Sequence, residues 1–162
     1  MDISKLHNGV RSCPIERIKD FMPEVQHIID TFPHKNKGDW YCDIKVHMLK
    51  KGMFPCIPNW HYDLVPRDEK GKQDFSKVDT KNKMYFWQSG GDAGEWEDGR
   101  KIKMKFWNEF SQMDLHRGVP ATDNYWRLFI RIFPKKLLRR EKKDDEILTK
   151  QIQVYIPTDF NW

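Results

Sequence analysis

The chain has 162 residues, with 29 Lys and Arg against 24 Asp and Glu, a formal excess of five positive charges. This length supports one core of ordinary size, and neither an apolar run long enough to cross a bilayer nor an apolar leader after Met1-Asp2-Ile3-Ser4-Lys5 is present, so secretion and membrane insertion are not expected. Cys13, Cys42 and Cys56 form an odd set without C-x-x-C spacing, which argues against a disulfide framework or a structural zinc site and fits a reducing cytoplasm.

The charge excess permits an anionic substrate or nucleic acid but names neither. A mean hydropathy of −0.83 is low for a packed protein. The 14% aromatic content, with seven Trp, supplies large units of burial in compensation.

The N-terminal part reads as helical. Pro14 suits a first helical turn, with Ile15, Ile18, Phe21 and Met22 at helical spacing, and Pro23 restarts a second helix carrying Val25, Ile28 and Ile29. These apolar stripes are expected to cover one face of a sheet. From Trp40 the period becomes two: Asp43, Lys45 and His47 alternate with Ile44, Val46 and Met48 up to a Lys50-Lys51-Gly52 turn. Pro55 and Pro58 then suit an irregular approach to the next segment, not a central ladder.

Trp60-His61-Tyr62-Asp63 follows. If this segment is extended, His61 and Asp63 project to one side and Tyr62 to the other. Residues 66–82 are polar and read as a loop flanking a site or as a plain solvated connector. Lys83–Gln88 reads as a strand, with Tyr85 and Trp87 on one face, either of which would line a pocket or pack in the core. Gly94–Arg100 carries an Asp-Gly turn signal.

Trp107–Leu115 leads to His116 within Asp114-Leu115-His116-Arg117-Gly118, and Trp126–Arg131 alternates, placing Arg127, Phe129 and Arg131 opposite Leu128, Ile130 and Ile132. Lys135–Glu146 is a mixed-charge run, and Gln151–Ile156 reads as a last short strand.

Two imidazoles and a carboxylate, His61, Asp63 and His116, are the ligand set of a non-haem Fe(II) facial triad, which leaves coordination positions open. A lone H-x-D triplet is weak, and its members are more often surface or hydrogen-bonded residues. The added distal histidine, its separation and the arginine-bearing strand give the pattern weight. Taken in order, His61, Asp63, His116 and Arg127, with Ile44–Pro55 leading in and Leu115–Pro120 around the second histidine, resemble the 2-oxoglutarate and Fe(II)-dependent dioxygenases over about residues 40 to 134.

That resemblance implies a mainly β fold with N-terminal helices: a double-stranded β-helix, or jelly roll. One domain over 1–162 is then expected, with 1–35 packing on the sheet and 40–157 forming the jelly-roll core. It implies Fe(II) held by His61, Asp63 and His116. It also implies 2-oxoglutarate whose far carboxylate is clamped by Arg127, with Arg131 on the same face as the alternative. Hydroxylation of an unidentified substrate, which the charge excess permits to be anionic, would follow. Asp114 either accepts a hydrogen bond from a liganding imidazole and sets its tautomer or, as alternation equally allows, lies in view of His116 without touching it.

Two other classes stay open. Cupin-like folds also host non-oxidative enzymes and ligand-binding proteins. The six basic residues between Lys135 and Lys143, together with exposed aromatic rings, suit a nucleic-acid-binding module, although three acids follow them directly.

Overall fold

The computed structural model describes residues 1–6, 9–34, 36–91, 94–138 and the backbone of 148–150. Strand β1 (Gly9–Pro14) comes first, so the N-terminal part is not wholly helical as expected. Two single-turn helices follow, α1 (Ile18–Phe21) and α2 (Gln26–Ile29), each entered through a 3-10 turn. Pro23 separates them: Met22 before it lies at φ −143°, ψ 65°, outside the helical region, as the proline ring requires of its neighbour.

The remaining strands are β2 (Trp40–Leu49), β3 (Met84–Gln88), β4 (Glu95–Trp96), β5 (Asn108–Phe110), β6 (His116–Arg117), β7 (Tyr125–Pro134) and β8 (Leu148–Lys150). Six of them form an antiparallel sheet in the order β5-β3-β7-β2-β1-β8, and β4 pairs with β6 in a second, small sheet. The protein is therefore mainly antiparallel β with two short helices. The strand expected at Gln151–Ile156 lies outside the described residues, as do residues 139–147 of the mixed-charge run.

The small sheet extends beyond its two named strands. His61 and His116 exchange both backbone hydrogen bonds, at 2.9 and 3.1 Å, Gly118 donates to the Ile57 carbonyl at 2.8 Å, and Gly52 and Ala121 are tied through the Ala121 and Met53 carbonyls. Residues 52–61 thus run beside 116–121 as an irregular third member, as Pro55 and Pro58 led one to expect. Gly118 is needed for this approach: a Cβ there would lie 2.7 Å from the Cys56 carbonyl oxygen.

The central pair β2 and β7 is in register along its whole length, from Trp40 opposite Pro134 to Leu49 opposite Tyr125. Alternation then divides the sheet into two faces. Cys42, Ile44 and Val46 with Leu128, Ile130 and Ile132 meet Ile15, Ile18, Val25 and Ile29 of the helical segment in the main core. Burying each such aliphatic side chain is worth about 1.5–3 kcal/mol. Tyr85 and Trp87 also belong to this core, so neither lines the cavity on the other face.

On the opposite face, Tyr41, Met84, Phe86, Phe110 and Phe133 pack with Trp96 of the small sheet. This second core leaves a cavity beside it, between the two sheets, floored by the polar positions of β2 and β7.

Candidate metal centre

His61, Asp63 and His116 come together, with one ligand atom from each lying within 4.8 Å of the others. Modest side-chain rotation brings such a set to the roughly 2 Å bonds of a single ion. His116 starts β6 and His61 faces it across an isolated bridge, which places the two rings 4.4 Å apart between centroids. Asp63 does not reach the site by strand alternation. It lies in a bend before Leu64, whose φ of 55° turns the chain, so the H-x-D segment is a bridge followed by a turn, not the regular strand expected.

Both imidazoles are oriented by main chain. Nδ1 of His61 meets the Asn59 carbonyl at 2.8 Å, and Nδ1 of His116 meets the Asp114 carbonyl at 2.9 Å. A carbonyl only accepts, so each Nδ1 carries the hydrogen and each neutral ring keeps its lone pair on Nε2. Nε2 of His116 is 3.6 Å from Asp63 Oδ2. The acceptor from His116 is therefore the backbone of Asp114, not its carboxylate, which instead binds Ser111 and Arg100. Outer contacts of this kind fix ring orientation in metal sites.

Electrostatics favour an ionised Asp63. Burial opposes the charge, but Arg131 and His116 outweigh it and hold the carboxyl well below the usual carboxylate range. Burial lowers His61 towards its neutral, ligating form. For His116, burial acts against protonation, yet the hydrogen bond and charge of Asp63 raise its pKa overall. A metal binding at Nε2 would compete with protonation of this ring.

The two arginines on β7 differ in company. Arg131 donates Nη1 to Asp63 at 2.6 Å and Nη2 to Asp43 at 2.5 Å. Asp43 in turn accepts from the backbone N–H of Ser12 at 2.7 Å, in the bulge of β1 where Ser12 has φ 51°. Arg127 is buried, donates Nη2 to the neutral Gln88 at 2.9 Å and lies 4.7 Å over the Phe129 ring. Its Nε has no hydrogen-bond partner, and no carboxylate pairs with it among the described residues. Burial pulls its pKa down to about 10.

These groups open onto a cavity of about 420 Å³ lined by all five expected site residues. Sequence reasoning missed Asp43, Gln88 and Lys45 as members of the site. The polar alternation of β2 was visible, but a polar strand face normally meets water, and only the sheet pairing shows that this one looks inward. Of the basic run from Lys135 to Lys143, the described part is a 3-10 turn at Lys135–Leu137, and Lys135 is committed to Glu16 at 3.6 Å.

No family model matches the chain, and comparison with curated proteins and with solved structures gives no significant match. Among the described residues no helix is long and apolar enough to cross a membrane.

Proposed function

We propose that this protein is an Fe(II)- and 2-oxoglutarate-dependent oxygenase that hydroxylates an organic substrate, built on a double-stranded β-helix whose two layers are the large sheet and the small one. The observation carrying this reading is that two backbone-oriented imidazoles and an ionised carboxylate share one cavity with a buried guanidinium that has no acidic partner among the described residues.

The donor set fits Fe(II): two neutral nitrogens and one anionic oxygen leave the other positions of a six-coordinate ion open. When bound, the iron would supply the redox chemistry by which 2-oxoglutarate and O₂ become succinate, CO₂ and one oxygen atom inserted into a substrate C–H bond. The remaining roles fall to the chain. Asp63 neutralises part of the metal's charge and is held in place by Arg131. Arg127 would hold the far carboxylate of 2-oxoglutarate, while Gln88, accepting from its Nη2, fixes the guanidinium plane. Phe86, Phe110 and Trp96 supply an apolar wall that keeps water from the reacting centre.

Anaerobic addition of Fe(II) and then 2-oxoglutarate tests this. Wild-type protein should develop the visible charge-transfer absorption of a chelated 2-oxo acid on iron, His116→Ala should not, and admission of O₂ should yield succinate. Metal binding without any response to 2-oxoglutarate would favour a non-oxidative cupin-like activity instead.

A further inference from the structure

The charges around the cavity do not balance. Arg11, Lys45, Arg67, Arg117, Arg127 and Arg131 line it, against Asp63 and Glu95 on the wall and Asp43 behind Arg131. Six cations thus meet three carboxylates among the described residues. On the oxygenase reading, on which this inference rests for the inner half of the cavity, a divalent ion and dianionic 2-oxoglutarate cancel each other. The positive excess at the outer end of the cavity, where Arg11 and Arg67 lie, is left for the substrate.

The cations also differ in company and in depth. Arg131 is committed to Asp43 and Asp63, and Arg117 to Glu95 at 2.5 Å. Arg127 is deep and belongs to the cosubstrate. Arg11 and Arg67 are both exposed at the mouth, and neither has an acidic partner among the described residues. Arg11 comes from β1, at the edge of the floor. Arg67 comes from the opposite side, on a hairpin closed by Asp68 and Lys72 and tied by its own Nη1 to the Gly71 carbonyl at 2.7 Å. That tie uses one nitrogen and leaves the rest of the fork available.

Guanidinium groups are the preferred partners of phosphate oxygens, through paired N–H donors. A cavity of about 420 Å³ is at the small end of the roughly 300–1,000 Å³ usual for small-molecule sites, enough for a cosubstrate and a small molecule. We infer that the substrate is a small organic phosphate whose phosphoryl group is held at the mouth by Arg11 and Arg67, with its reacting carbon directed inward to the His61, Asp63 and His116 cluster.

The test uses full-length protein with Mn(II) as an O₂-insensitive ion and saturating 2-oxoglutarate, so that Arg127 is engaged. Inorganic phosphate, phenyl phosphate and benzoate are titrated by calorimetry, and ³¹P relaxation reports whether the phosphates sit near the paramagnetic ion. Wild type should bind both phosphates, with enhanced ³¹P relaxation and an affinity that falls with salt. Arg11→Ala/Arg67→Ala should weaken both at least tenfold while Mn(II) affinity, followed by electron paramagnetic resonance, stays unchanged. Equal phosphate binding by the double variant, or benzoate binding as tight as phenyl phosphate, overturns the proposal. If Mn(II) fails to bind but phosphate binding is still lost in the double variant, the anion site stands and the oxygenase reading falls.

Discussion

Nη1 of Arg131 lies 2.6 Å from Oδ2 of Asp63, and the same guanidinium reaches Asp43 on the neighbouring strand at 2.5 Å. The arginine therefore positions a carboxylate of the candidate metal cluster and has little left to offer a second anion. Arg127, two pleats along the same face, donates to the neutral Gln88 and has no carboxylate partner among the described residues, and on the proposed reading it is the one that takes the cosubstrate. Strand periodicity puts both on one face and cannot separate their roles, because the carboxylates that distinguish them lie on other segments.

Removing each arginine should give different phenotypes. Arg131→Met removes the charge partner shared by the buried Asp43 and the half-buried Asp63, so denaturant unfolding should show a loss of about 3–5 kcal/mol, with weakened Fe(II) binding. Arg127→Met should leave stability and Fe(II) affinity near wild type but raise the 2-oxoglutarate requirement by about 10- to 100-fold, the worth of a charge-assisted hydrogen bond. The reverse pattern would exchange the two assignments.

Metal should stabilise the fold, since the unfolded chain does not hold His61, Asp63 and His116 together. At a free Fe(II) concentration 100 times its dissociation constant, the gain should be about 2.7 kcal/mol. Anaerobic thermal unfolding measures it. His61→Ala should abolish the shift while altering the metal-free midpoint little, because its side chain is only partly buried at the cavity wall.

How far the sequence foretold the molecule depended on whether the deciding contact was local. The alternation of Leu128, Ile130 and Ile132 against Arg127, Phe129 and Arg131 is a property of consecutive residues, and it appears in the structure as read. So does the strand at Met84–Gln88: Tyr85 and Trp87 share a face and pack in the main core, one of the two uses read for them, while Phe86 and Gln88 face the cavity. β1 was hidden because Gly9–Pro14 has no clean alternation, being broken by the bulge at Ser12 that Asp43 caps from 31 residues away. The His61–Asp63 pair was found for a partly mistaken reason. The two side chains do converge with His116, but through a bridge at His61 and a turn at Leu64, not through strand alternation.

Gly118 should be intolerant of a methyl group. A Cβ there meets the Cys56 carbonyl oxygen at 2.7 Å and the sulfur at 3.1 Å, and the nearer atom is backbone. Gly118→Ala should push residues 52–61 away from 116–121, destabilising the protein by about 1–3 kcal/mol. His61 and His116 sit in that pairing, so Fe(II) affinity should fall too. Truncating the sulfur with Cys56→Ala should not rescue either loss. Rescue would place the obstruction at the side chain and not at the paired backbone.

The last prediction concerns acid. His47 is 2% exposed on β2, opposite Arg127, and neither ring nitrogen has a hydrogen-bond partner. Burial, reinforced by the charges of Arg127 and Lys45, lowers its pKa from 6.5 to about 3. Between those values the unfolded chain takes up a proton that the folded protein refuses. Stability therefore falls as pH falls from 6.5 towards 3, by up to about 1.4 kcal/mol for each pH unit. Asp63, whose folded pKa is depressed, contributes stability that is lost only lower, below its unfolded value near 3.8. His47→Leu removes the first effect and leaves the second. Replacing an unpaired buried imidazole by an apolar side chain should cost little at pH 7.5. Denaturant unfolding from pH 7.5 to 4 should then show a much flatter profile for the variant, with the curves crossing as wild type loses stability. Parallel profiles would mean that His47 is protonated in the folded protein, and the orphaned-imidazole account of acid sensitivity would be wrong.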